Sequence, residues 1–314
     1  MHVHIHGDWP VEALEALKVS LAQGIEIGFG DDIDPSSAVL VWGNPTQEAL
    51  DALPNLRAVV VPWAGVPPKT LAMVRSRPGV RLFNLHHNAH TTAEMAFALL
   101  MAVAKHLVLG DRGLRQGTWS VPDSLGLWGR KALVVGYGAI GRHVGALCRA
   151  AGMEVVGVRT RSGTDADGTR IVDPTALPTE LPDTHALLVC LPGTSDTEGL
   201  IGRSELALLP NDAIVVNVGR GPVIDEDALY EALAEGRLFG AGLDVWYRYR
   251  RNSDEPTLPA NRPFHELSNV VMSPHHGGNA VGIDEERMME FARLLKALVE
   301  GRPAPNEVAL ARGY

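Results

Sequence analysis

With 314 residues, 46% of them hydrophobic and 21% charged, the chain carries enough apolar material for two cores, and no long like-charge block, which argues against disorder. Its formal net charge of −9 excludes a general nucleic-acid binder, which needs a basic stripe to displace phosphate counterions. Two cysteines, Cys148 and Cys190, exclude a disulfide framework or a cysteine-rich zinc site, and no uncharged apolar run approaches the ~18 residues of a membrane span.

The N-terminal MHVHIHGDWP lacks the basic-then-apolar order of a signal peptide, so the expected class is a soluble, cytoplasmic α/β enzyme with no membrane partner. Short β-branched runs predict strands over 3–5, 25–27, 38–42, 58–61 and 80–83, with helices over 11–23, 46–52 and 69–75 between several of them. Strands separated by helices of this length pair in parallel. The apolar, alanine-rich stretch 92–108 predicts one buried helix linking two domains, its alanines letting neighbouring backbones approach. A second alternation follows, with strands expected over 132–135, 154–158, 186–190, 213–216, 239–243 and 270–272. Helices are expected over 140–151, closed by Gly152, and 227–234, closed by Gly236, because glycine adopts the left-handed terminal conformation without a Cβ clash. Asp225 is placed to cap the second of these. A last helix over 284–300 returns to the first domain. The expected division is 1–100 with 283–314, and 101–282.

Val134-Val135-Gly136-Tyr137-Gly138-Ala139-Ile140-Gly141 follows a predicted strand and opens a predicted helix. A lone GxGxxG says little, but in this setting each glycine has a task. Gly136 makes the tight turn, Gly138 lets a pyrophosphate approach the backbone, and Gly141 lets helix and strand pack closely. Ala139 and Ile140 begin the helix, whose N-terminal N–H groups suit phosphates. The alternative is a glycine turn in some other α/β sheet. At the end of the next strand a site for NAD places Asp or Glu to bond the ribose 2′-hydroxyl. Here the chain reads Arg159-Thr160-Arg161. Arg159 can pair with a 2′-phosphate and Arg161 can stack on adenine, so NADP is preferred over NAD unless both arginines are plain surface charges.

Three segments complete the pattern: Asn217-Val218-Gly219-Arg220-Gly221, Gly242-Leu243-Asp244-Val245 leading to Asp254-Glu255-Pro256, and Ser273-Pro274-His275. Arg220 and His275 both follow predicted strands, at the carboxyl ends where open α/β sheets bind ligands. A carboxylate-binding arginine, a histidine and a nearby carboxylate suit transfer of a hydride and a proton across a C–O bond.

With these motifs in this order the sequence resembles the D-isomer-specific 2-hydroxyacid dehydrogenase family, which includes glyoxylate/hydroxypyruvate reductases and phosphoglycerate dehydrogenases. Thr92-Ala93-Glu94, Leu191-Pro192-Gly193-Thr194, and Thr197 with Gly199-Leu200-Ile201 extend the resemblance over nearly the whole chain. It implies an α/β protein of two doubly wound parallel-sheet domains, a flavodoxin-like substrate domain and a Rossmann nucleotide domain, with the active site in the cleft between them. It implies that Arg220 binds the substrate carboxylate, that His275 is the acid/base, and that a glutamate raises the histidine's pKa. Leu191, Pro192, Thr197, Val218, Gly219, Asp244, His275 and Gly277 would line the nucleotide, with Asp244 near the nicotinamide carboxamide. Ala64-Gly65-Val66 would grip the substrate carboxylate by backbone amides, and two copies would pair through their nucleotide domains.

Two departures stand out. The family's glutamate falls five residues after the aspartate of L-D-V, where this chain has Tyr249, whereas Glu255 matches its E-P text. Reading 247–254 as carrying an insertion assigns the role to Glu255; the other register puts Tyr249 there. Prolines 67 and 68 replace the family's usual Asp-containing segment beside the substrate loop.

Other features support rival readings. His2, His4 and His6 alternate on one strand face, as metal-dependent hydrolases arrange ligands, or as a strand whose histidines bind nothing. His86, His87 and His90 could contact substrate or simply pack. Tyr247-Arg248-Tyr249-Arg250-Arg251 interleaves aromatics and cations, but suits a loop over the site better than a nucleic-acid contact. Cys148 and Cys190 read as small apolar core residues. A corepressor that senses the dinucleotide without turnover is the third class, and keto-acid turnover separates it from an enzyme.

Overall fold

The computed structural model describes residues 1–250 and 256–313. Two compact units form, Met1–Asn88 with Ala280–Tyr314, and Ala89–Asn279. In the first, β1 (His2–Ile5), α1 (Val11–Ser20), β2 (Glu26–Phe29), β3 (Val39–Val41), α2 (Gln47–Asp51), β4 (Ala58–Val61), α3 (Pro68–Arg75) and β5 (Arg81–Asn84) alternate in sequence. Their strands make one parallel sheet in the order β2-β1-β3-β4-β5, with Val3 beside both Ile27 and Val39. The order reverses next to β1, as in flavodoxin-like sheets. β4 is buried along its whole length, as expected of a central parallel strand covered on both faces. The C-terminal helix Ile283–Val299 packs against α1 and closes this core with Met288, Phe291 and Leu295.

The second unit holds α4 (Ala89–Ala104), α5 (Leu107–Arg115), β6 (Lys131–Val135), α6 (Ala139–Ala150), β7 (Glu154–Val158), β8 (Gly163–Thr164), β9 (Arg170–Val172), α7 (Leu177–Glu180), β10 (Thr184–Val189), α8 (Arg203–Leu208), β11 (Ile214–Asn217), α9 (Glu226–Ala234), β12 (Gly240–Leu243) and β13 (Val270–Met272). The sheet order is β13-β12-β11-β10-β6-β7-β9-β8, parallel except for the β8–β9 pair. Asp225 caps α9 as expected, its carboxylate accepting the Ala228 N–H at 2.7 Å.

The structure differs from expectation in five places. α1 stops at Ser20 because Leu21 turns extended. The expected single helix over 92–108 begins at Ala89 and breaks at His106, whose left-handed φ of 48° ends the ladder; α5 leaves at 62°. The expected division at 100 and 283 falls instead at Asn88 and Asn279, because α4 buries Ala96, Leu100 and Val103 against Ala132, Val134, Ile214 and Val216 of the second sheet. The close approach foreseen for its alanines is made by β12: a Cβ on Gly242 would stand 2.7 Å from Leu99 and one on Gly240 2.7 Å from Val103. The β8–β9 hairpin, α7 and α8 carry little periodicity and were not foreseen. Among the described residues no single helix is long and apolar enough to cross a membrane.

Candidate active site

The glycine turn has the form its spacing implies. Gly136 has φ +99°, and a Cβ there would lie 2.9 Å from the Cys190 carbonyl carbon, so only glycine fits between the ends of β6 and β10. A Cβ on Gly141 would stand 2.3 Å from the Gly136 oxygen, which is the close helix–strand contact. Gly138 has open space where its Cβ would be, at the N-cap of α6, and no side chain caps that helix. This cradle and the free N–H groups at Ala139 and Ile140 fit a dinucleotide pyrophosphate.

Tyr137, between the glycines, is fully buried, and sequence reasoning gave it no role. Its hydroxyl donates to Asp167 at 2.9 Å, lies 2.9 Å from Thr169 Oγ1 and accepts from Arg149 at 3.0 Å. Room for the side chain comes from Gly145 and Gly157, where a Cβ would stand 2.5 Å from the hydroxyl oxygen and 2.6 Å from the ring. Beyond β7, Arg159 is partly exposed and pairs with Asp165 at 2.9 Å, while Thr160 and Arg161 are exposed.

The register brings the catalytic candidates to one row. Asn217, Leu243 and Met272 are partners at the carboxyl ends of the neighbouring strands β11, β12 and β13. Arg220, Asp244 and His275 lie three, one and three residues beyond them. Asn217 builds the N-x-x-R turn: its amide donates to the Arg220 oxygen at 3.0 Å, and its Oδ1 accepts the Gly219 N–H at 3.1 Å. That role follows from Asx-turn chemistry but was not drawn from the sequence. Gly219 and Gly221 permit the crossing of chains, since their Cβ atoms would meet the Leu191 oxygen at 2.4 Å and the Trp246 oxygen at 2.3 Å. Leu191 and Pro192 begin a loop that Thr197 closes, its hydroxyl donating to the Pro192 oxygen at 2.7 Å. Val218 is buried beside this crossing.

Asp244 is almost wholly buried and anchors the histidine loop. Its carboxylate accepts Ser273 Oγ at 2.5 Å, His276 N–H at 2.8 Å and Gly277 N–H at 3.0 Å. His275 projects from this anchored loop with a left-handed φ of 59°, a strained conformation for a non-glycine residue and one that marks functional sites. Partial burial, then the Arg220 charge, push its imidazole below the ordinary 6.5, while Asp244 pulls it up. Tyr249 packs beside it, ring centres 5.4 Å apart, with its hydroxyl accepting the Trp246 N–H at 3.2 Å. Glu255 lies outside the described residues, as does Arg251. Tyr247 is held inward, donating to the Ile224 oxygen at 3.0 Å and stacking on Phe264. Burial pushes the Cys148 and Cys190 thiols up to about 12, which keeps both in the thiol form at neutral pH.

In the first unit, Ala64-Gly65-Val66 forms the loop after β4, and the Asn84 amide donates to the Ala64 oxygen at 2.5 Å. The N-terminal histidines are engaged separately: His2 with Ser37 at 2.9 Å, His4 with the Gly30 oxygen at 2.9 Å, and His6 stacked on Trp42. Among the described residues no cluster of three His, Cys, Asp or Glu could hold a metal. His86 donates its N–H to Glu290, His87 accepts from Arg287, and the ring of His90 meets that of His143.

A family model described as D-isomer specific 2-hydroxyacid dehydrogenase, NAD binding domain, matches residues 97–277. The chain is 34% identical to a glyoxylate reductase of Korarchaeum cryptofilum over 275 residues, 83% of this chain and 78% of that one. It is 31% identical to a D-3-phosphoglycerate dehydrogenase of Archaeoglobus fulgidus over 268 residues, 84% of this chain and 49% of that one. A D-isomer specific 2-hydroxyacid dehydrogenase of Xanthobacter autotrophicus, solved with NADPH, superposes with a TM-score of 0.83 at 25% identity, covering 99% of each chain. The glycine cradle, the row of Arg220, Asp244 and His275, and these likenesses agree: the chain belongs to the D-isomer specific 2-hydroxyacid dehydrogenase family.

Proposed function

We propose that this NAD(P)-dependent oxidoreductase acts as a reductase of small 2-keto acids of the glyoxylate and hydroxypyruvate type, with NADPH preferred over NADH. The observation that carries the reading is the shared register of β11, β12 and β13, which sets the Arg220 turn and the His275 loop on one edge of the sheet with Asp244 between them. Arg220 binds the substrate carboxylate and polarises its carbonyl. His275 gives a proton to the carbonyl oxygen in reduction and takes it back in oxidation. Glu255 takes the role of the family's glutamate, a carboxylate that favours the charged form of the imidazole. The nicotinamide, when bound, supplies or accepts the hydride. Gly136, Gly138, Ala139, Ile140 and Gly141 hold the pyrophosphate, while Leu191, Pro192, Thr197, Val218, Gly219, Asp244 and Gly277 border the rest of the nucleotide. Ala64, Gly65 and Val66 offer backbone amides to the substrate carboxylate.

Arg159, in place of the ribose-binding acid, supports NADP, as does the NADPH bound to the Xanthobacter relative. Exposed Leu107, Leu114, Trp119 and Trp128 on the second unit support pairing of two copies there, which light scattering would test. Two unpaired cysteines suit a reducing, cytoplasmic setting. The corepressor and metal-hydrolase readings gain nothing from the relatives or from the histidine contacts.

The experiment is a panel of glyoxylate, hydroxypyruvate and larger 2-keto acids with NADPH and with NADH. Reduction is expected with NADPH, and Arg220→Ala or His275→Asn should lower kcat/KM by roughly 10²–10⁴-fold. Tight nucleotide binding with no keto acid reduced would overturn the reading.

A further inference from the structure

We propose that Asp165, a residue that the nucleotide motif does not include, is a positioning residue for cofactor choice: it gathers Arg142 and Arg159 into one guanidinium pair that presents Arg159 to a 2′-phosphate. The inference rests on the NADP reading above and adds the group that aims the arginine.

Asp165 lies on the loop between β8 and β9, and its side chain is only 4% exposed. Arg142, in the first turn of α6, grips both its oxygens at 2.8 and 3.0 Å. Arg159, at the end of β7, forms an ion pair with the same carboxylate, its Nη1 2.9 Å from one of those oxygens. The two contacts differ in kind. Arg142 makes a bidentate fork, which engages both oxygens and holds the carboxyl below the usual range. Arg159 is held by charge attraction and makes no hydrogen bond to the carboxylate, so its guanidinium donors remain for an incoming phosphate. One carboxylate between two guanidinia leaves a net single positive charge, placed beside the N-terminus of α6.

The loop that carries Asp165 is itself tied to the glycine turn. Asp165 N–H donates to the Thr169 oxygen at 2.9 Å and Gly168 N–H to the Asp165 oxygen at 3.0 Å. Two residues on, Asp167 accepts the hydroxyl of Tyr137, which sits inside the GxGxxG turn, and pairs with Arg149 of α6 at 2.8 Å. The pyrophosphate turn, α6 and the Asp165 carboxylate therefore form one braced assembly. Without the carboxylate, two like charges would repel, and Arg159 would regain the rotamer freedom of a long surface side chain, to be ordered again at each binding event.

The test is the ratio of dissociation constants for NADH and NADPH, measured by fluorescence titration, with adenosine 2′-phosphate and adenosine 5′-phosphate as fragment probes. In Asp165→Asn the preference for NADPH should fall about tenfold, and the fragment preference by a similar factor, the size of one charge-assisted bond. Asp165→Glu keeps the charge but displaces it, and should fall between; it carries the test should the Asn variant fail to fold. A merely structural role would weaken both nucleotides alike and leave the ratio in place, and that result overturns the proposal. So does a ratio that rises, which would make Asp165 a competitor of the phosphate. Failure of the NADP reading looks different: wild-type protein without NADPH preference, or Arg159→Ala with an unchanged ratio.

Discussion

Gly141 approaches Gly136 so closely that a methyl group on its Cα would stand 2.3 Å from the Gly136 carbonyl oxygen. Gly141→Ala must therefore push α6 off β6, at a cost of about 1–3 kcal/mol. Gly138→Ala meets open space instead and should melt within ~1 kcal/mol of the wild type, while its methyl group fills the cradle and weakens nucleotide binding at least about tenfold. Thermal melts paired with nucleotide titrations check both. Equal effects of the two substitutions on folding would show that the glycines do not divide the work in this way.

Asp244 accepts three donors from the loop that carries His275. Asp244→Asn turns an NH₂ group toward one set of those donors, so the isosteric change should not be mild. The expected loss is about 2–4 kcal/mol of stability, with a fall in kcat as His275 loses its support. Wild-type melting and turnover in this variant would show that the loop is held some other way.

The pH profile tests the role proposed for Glu255. Burial and Arg220 hold the imidazole below 6.5, and if His275 is the proton donor proposed above, reduction needs the imidazolium, so kcat/KM for the keto acid should fall as pH rises through the His275 pKa. A carboxylate partner moves that fall to higher pH. In Glu255→Gln the fall should shift downward, to a midpoint below 6.5. Identical profiles for the variant and wild type would remove Glu255 from the role and leave Tyr249, which packs on His275, as its neighbour.

Acid stability is set partly by Glu180. Its carboxylate is paired with Arg170 at 2.7 and 2.9 Å and with the buried Lys131 at 2.7 Å, and these partners, the Arg170 bonds first, hold it at about 2 instead of 4.5. A lowered carboxylate pKa adds stability that is fully present above pH 4.5 and lost as pH falls toward 2, here about 1–2 kcal/mol because the half-exposed Arg170 is screened by solvent. Glu180→Gln should lower the melting point at pH 7 and flatten its dependence between pH 4.5 and 2. An unchanged acid limb would place the acid sensitivity elsewhere.

The glycine turn could be read along the chain because its requirements are local: a positive φ at Gly136, an open cradle at Gly138 and close packing at Gly141 act within six residues and one strand–helix turn. The parallel alternation and the Asp225 cap were legible for the same reason, as periodicity and capping report on neighbours in sequence. The order of the motifs likewise placed Arg220 and His275 just beyond strand ends before the register of those strands was known.

Other features depended on partners far along the chain. The left-handed break at His106 interrupts a stretch whose apolar pattern reads as one helix. The assignment of α4 to the second unit depended on which sheet offered glycines for it to lie against. Asp165 and Asp167 sit in an aperiodic, polar segment that reads as plain loop, and became meaningful only once the hairpin laid them on Arg142, Arg159 and Tyr137. By itself the sequence determined which chemistry-bearing groups the chain owns and the strand ends from which they project. Which carboxylate meets which guanidinium was decided by the fold, because charge pairing depends on separation in space and side-chain direction, and neither is written in spacing along the polypeptide.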